Sequence, residues 1–127
     1  MTKHLACLTA LSLAAGLAGC GSAPTPAPQA ELDRAQAALQ ATLDAWKKGA
    51  RPGALKGPVV AVTDPDWAAG LRLQDYMIYN AEGREGEDIR CGVALALSDR
   101  QGHRLTRDVV YSIRGTDKLV IAREPEK

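Results

Sequence analysis

Stretches of helical and strand-like periodicity alternate along this chain, separated by proline and glycine. Residues 5–17 form an apolar run relieved only by Thr9, Ser12 and Gly16, and Lys3 stands in front of it. About thirteen residues rising 1.5 Å each make a helix of roughly 20 Å. A hydrocarbon core of about 30 Å needs nearer twenty residues, so the run reads as a cleaved export signal and not as a permanent span. Residues 21–28, Gly-Ser-Ala-Pro-Thr-Pro-Ala-Pro, carry proline at every second position from Pro24. Proline fixes φ and lacks an amide donor, which predicts an extended tether of about 3.1 Å per residue. Over residues 29–48, Leu32, Ala35, Leu39, Leu43 and Trp46 recur at helical intervals and form one apolar stripe. Glu31 and Asp33 sit early, Lys47 and Lys48 late, as the helix dipole favours, and Gly49 supplies a stop.

Past a turn at Arg51-Pro52-Gly53, the apolar residues 58–62 suit a first strand. In Asp64-Pro65-Asp66-Trp67-Ala68-Ala69-Gly70, Asp64 can cap, Pro65 fits the first helical position and Gly70 can end a single helical turn, with Trp67 packing back on the sheet. An antiparallel meander follows. Leu71, Leu73, Met77 and Tyr79 share one parity over 71–79, and Ile89, Cys91, Val93, Leu95 and Leu97 alternate cleanly over 89–97. Leu105, Val109, Tyr111 and Ile113 share a face over 103–114, and Leu119 and Ile121 point inward over 118–123. Residues 80–87, rich in glycine and charge, read as a mobile loop. One N-terminal helix packed on a curved antiparallel sheet of four to five strands predicts an α+β fold.

The signal run ends in Leu17-Ala18-Gly19-Cys20. This tetrapeptide resembles the lipobox of bacterial lipoproteins, with Leu17 at the hydrophobic position and Ala18 and Gly19 at the small ones. The resemblance implies diacylglyceryl on the Cys20 thiol and cleavage that leaves Cys20 as the new N-terminus, so the partner at that end is a membrane. Two acyl chains anchor stably where one does not, at roughly 0.8 kcal/mol per buried methylene. The expected organisation is a signal peptide at 1–19, a tether at 20–28 and a single α+β domain at 29–125. The expected location is the cell envelope. Gly21 stands where some bacteria use Asp as an inner-membrane retention signal, which favours the outer membrane or its periplasmic face.

Charge and cysteine usage narrow the rest. Losing the signal removes one of 16 basic residues, Lys3, and none of the 15 acidic ones, so the remainder is neutral. Neutrality with both signs interspersed argues against nucleic acid as a partner. Of three cysteines, Cys7 leaves with the signal and Cys20 carries lipid, so Cys91 has no intramolecular partner for a disulfide. Phe is absent, leaving Val, Leu, Ile and Ala to fill an ordinary core.

No Walker loop, dinucleotide fingerprint, His-Glu-x-x-His or Cys-x-x-Cys occurs in the chain, and no cofactor or metal is expected. His103 is the single histidine beyond the signal and sits beside a turn. The parity of Cys91 with Ile89 and Val93 makes it a small buried hydrophobe. Asp75 and Arg107 are more informative, because each falls on the otherwise apolar parity of its strand. With Tyr79 and Tyr111 they could line a small polar pocket, or form a buried ion pair, or be turned outward by a bulge. An intervening strand puts about 10 Å between them, which weakens direct pairing.

The arrangement resembles the cystatin-like and NTF2-like group of curved sheets wrapped on a helix. It is also similar to short uncharacterised bacterial lipoproteins with a Trp-Lys-x-Gly helix end, an Asp-Pro-Asp-Trp turn and a following Asp-Tyr, here Trp46, Lys47 and Gly49, then residues 64–67, then Asp75 and Tyr76. That family has no established activity, and with the usual catalytic motifs absent the expected function is a membrane-anchored, non-catalytic binding or structural module for an envelope protein or small ligand. The alternative the resemblance offers is a small NTF2-like pocket enzyme or ligand-binding protein using Asp75. NTF2-like enzymes usually carry about three N-terminal helices, and this chain has room for one; the Gln-x-Val-x-Gly hairpin of cystatin inhibitors is absent.

Overall fold

The helical stripe buries as its spacing requires. The computed structural model describes residues 25–126, so the expected signal peptide and Cys20 lie outside the described residues. Helix α1 (Gln29–Lys47) buries Ala35, Ala38, Leu39, Thr42, Leu43 and Trp46, and Gly49 ends it with a φ of 91°. An isolated helix of this length is marginal in water, so its stability comes from packing that face. Leu39 and Leu43 pack in one core with Val93, Leu95, Leu97, Tyr111 and Ile121. No helix among the described residues is long and apolar enough to cross a membrane.

Strands β1 (Val59–Thr63), β2 (Arg72–Glu82), β3 (Ile89–Ser98), β4 (Arg104–Arg114) and β5 (Leu119–Arg123) form one sheet in the order β1-β5-β4-β3-β2. β2 to β5 make the expected meander, and β1 joins the far side of β5 in parallel. The molecule is thus α+β, one helix packed on a mostly antiparallel open sheet. Between β1 and β2 lies the single turn α2 (Pro65–Ala68), capped by Asp64, whose Oδ1 accepts from Asp66 N at 2.8 Å and Trp67 N at 3.1 Å. Trp67 stacks on Trp46, with ring centroids 5.2 Å apart and planes 9° from parallel. Each indole N–H is satisfied by a carbonyl, Trp46 donating to Leu71 O and Trp67 to Ala50 O, both at 2.9 Å.

β2 departs from strict alternation. Gln74 is an extra residue between the pairs Leu73–Leu97 and Asp75–Ala96, and Tyr79 another between Ile78–Val93 and Asn80–Gly92. Each bulge flips the side chains beyond it to the other face. The inward residues are therefore Leu73, then Tyr76 and Ile78, then Ala81, while Met77 and Tyr79 point outward at 61% and 52% exposure. The loop expected at 80–87 is shortened from its N-terminal side. β2 runs on to Glu82, and Gly83 to Glu85 pair with Thr25 to Ala27, a segment expected to belong to the free tether.

Candidate functional site

β5 alternates inward from Leu119 through Ile121 to Arg123, and β4 from Val109 back to Arg107, so both arginines leave their strands on the helix-covered face. There they meet the two aspartates of the Asp64-Pro65-Asp66 turn. Arg123 Nη1 donates to Asp66 Oδ2 at 2.5 Å and lies 3.3 Å from Asp64 Oδ1, while Nη2 reaches Glu126 at 3.2 Å. The Tyr111 hydroxyl donates to Asp64 Oδ2. Asp64 is thereby fully used, capping α2 with one oxygen and accepting from Tyr111 with the other. Burial, and then the Asp64 carboxylate, push the Tyr111 hydroxyl far above its ordinary range. Burial works against the charge on Arg123, but Asp66 and Asp64 outweigh it and hold the guanidinium above its ordinary value.

Arg107 is held differently. Its Nε is buried 2.8 Å from Asp66 Oδ2, yet the N–H is not aligned for a hydrogen bond. Its side chain keeps 36% of its exposure, against 5% for Arg123. Arg107, Asp66 and Arg123 border a cleft of about 700 Å³ whose apolar walls include Pro52, Val62 and Pro125.

Of the four residues expected to share a pocket, Asp75 and Arg107 border one open depression of about 470 Å³ across β3, and Tyr79 and Tyr111 lie outside it. The first bulge turns Asp75 outward, where it pairs with Lys47 at 3.6 Å with 78% of its side chain exposed. Tyr79 lies across Gly92 on the outer face, its ring 2.5 Å from where a Cβ on that glycine would stand. Tyr111 is buried on Asp64, and Arg107 finds Asp66 in place of Asp75. Asp64, Asp66 and Arg123 were visible in sequence only as a cap, a turn residue and a strand end. The signal for Arg123 was its parity with Leu119 and Ile121.

The other candidates are committed elsewhere. Among the described residues Cys91 is buried without a disulfide partner, and burial pushes its thiol up to about 11. His103 is exposed and its Nδ1 lies 3.0 Å from Asp99, whose carboxyl is held below its usual range first by the His103 backbone N–H. Tyr76 donates to Asp44 at 2.7 Å, and burial together with that carboxylate raises its hydroxyl above its ordinary value. Among the described residues no cluster of His, Cys, Asp and Glu could hold a metal ion. No family model, curated protein or solved structure matches the chain.

Proposed function

We propose that this chain is a membrane-anchored lipoprotein whose α+β domain is a non-catalytic binding module of the cell envelope, with the Arg107 cleft as its ligand site. The anchor reading rests on Leu17-Ala18-Gly19-Cys20 at the end of a short apolar run. The non-catalytic reading is supported by where the reactive groups lie: Cys91 is buried with a raised pKa, His103 is spent on Asp99, and Asp75 is solvated beside Lys47.

One observation carries the choice of site. The two terminal nitrogens of Arg107 hydrogen-bond to no described residue, at the rim of a cleft whose other cation, Arg123, is spent on the protein's own carboxylates. A guanidinium fork matches a carboxylate in two parallel bonds, and proline and valine walls accept an apolar body. The favoured ligand is therefore a carboxylate on an apolar stem. Titrating benzoate into the labelled protein should shift the backbone amides of Asp66, Ala68 and Arg107, and Arg107→Gln should abolish the shifts. Shifts scattered over the surface, or unchanged in Arg107→Gln, would remove the cleft from the proposal.

A further inference from the structure

The residues just before α1 are part of the sheet's periphery. Ala27 N donates to Gly83 O and Glu85 N to Thr25 O, both at 2.9 Å, flanking a bridge between Pro26 and Arg84. Ala27 is 6% exposed. In an antiparallel pair, bonded and non-bonded positions alternate, so Thr25 and Ala27 use one edge while Pro26, which has no N–H, occupies the non-bonded position. Proline at every second residue thus permits pairing along one edge and blocks a further strand on the other. α1 begins at once, with Leu32 N donating to Pro28 O at 3.2 Å.

We infer that this segment is a docked strap that sets how the domain stands on a membrane: the β2–β3 hairpin faces the lipid, and α2 with the Asp99–Gly102 turn faces away. The inference rests on the reading of Cys20 as the lipid-bearing residue. From Cys20 to Thr25 the chain reaches about 18 Å at full extension, five steps of 3.6 Å at most. A tether free as far as Pro28 would reach about 29 Å on the same scale. The strap, the start of α1 and the β2–β3 hairpin lie at one end of the sheet, whereas α2 and the Asp99–Gly102 turn lie at the other; the cleft opens between them, from Arg123, level with Cys91, to Arg107, level with Leu95. β3, with 10 residues, puts about 30 Å between those ends. A leash shorter than the domain keeps the hairpin near the headgroups, while one of 29 Å would let either end face them.

The full lipidated chain in vesicles of phosphatidylethanolamine and phosphatidylglycerol, with a headgroup nitroxide as quencher, tests this. A fluorophore is placed on Glu87→Cys in the hairpin and, separately, on Gln101→Cys in the far turn; Cys91 is buried and stays unlabelled. The expected result is several-fold stronger quenching at position 87 than at 101. Equal quenching in protein that sediments with the vesicles overturns the orientation and leaves the anchor reading intact. Protein that fails to sediment overturns the anchor reading and the orientation with it. Amide exchange in the same chain judges the strap alone: slow exchange at Ala27 and Glu85 upholds it, and exchange as fast as in a free peptide overturns it.

Discussion

Replacing Arg123 by methionine takes the cation from between two buried carboxylates while keeping most of the side chain's bulk. The Arg123 side chain is 5% exposed and that of Asp64 1%, so little water is at hand to take the cation's place. The lost contacts are those to Asp66 at 2.5 Å, Asp64 at 3.3 Å and Glu126 at 3.2 Å. The last is to a solvated carboxylate and contributes little. Asp64 would retain two backbone donors and Tyr111, whereas among the described residues Asp66 would retain only the misaligned Arg107 Nε. Removing one partner of a buried ion pair costs about 3–5 kcal/mol, and the donors left to Asp64 place this case near 3 kcal/mol. In a domain of about 100 residues each kcal/mol moves Tm by roughly 4–8 °C, so the midpoint should fall by about 12–24 °C. Thermal and urea unfolding can be followed by the fluorescence of the stacked Trp46 and Trp67, which separate on unfolding. Arg90→Met is the control, since Arg90 pairs with Glu124 at 2.6 Å on the surface and its loss should leave the midpoint nearly unchanged. An Arg123→Met midpoint no lower than that of Arg90→Met would refute the structural role given to the buried network.

Three further outcomes follow from single residues. Burial raises the Cys91 thiol from 9.0 to about 11, so the native protein should resist thiol reagents near neutral pH and react only as it unfolds. Because the folded value lies above the unfolded one, the stabilisation is complete below pH 9.0 and is lost as pH rises towards about 11; wild type should therefore lose stability faster than Cys91→Ala across that window, and parallel curves would contradict the shift. Gly115→Ala should lower the melting midpoint well beyond Gly86→Ala, since its Cβ would stand 2.0 Å from Lys118 O at a φ of 112° whereas Gly86 has open space; equal losses would mean the Gly115 turn yields. Gly92→Ala should destabilise by driving its methyl into the Tyr79 ring, and adding Tyr79→Ala should recover most of the loss; no recovery would place the strain on Asn80 Oδ1, at 2.8 Å.

The amphipathic helix, the alternating β3 and the capped Asp64-Pro-Asp-Trp turn were legible because each is written in a local period or a local bond. The bulges in β2 were not. Gln74 and Tyr79 carry no mark that sets them apart from paired residues, and a single uncounted residue exchanged Tyr76 and Ile78 for Met77 and Tyr79 on the inner face. The partner of Arg107 was missed for a related reason. Arg107 was correctly placed on an inward parity, but its partner had to come from Asp66 in a turn that packs beside the sheet, a long-range contact that no periodicity encodes. The tether was read from proline's stiffness alone, whereas pairing of Thr25 and Ala27 depends on where Gly83 and Glu85 lie in the fold.

The envelope location proposed for this domain depends on Cys20, and detergent-phase partitioning of the protein tests it directly. Wild type should enter the detergent phase with an intact mass that begins at Cys20 and carries a diacylglyceryl group, and Cys20→Ala should remain in water. Wild type recovered from the aqueous phase with a free thiol at position 20 would contradict the anchor and, with it, the membrane placement of the Arg107 cleft.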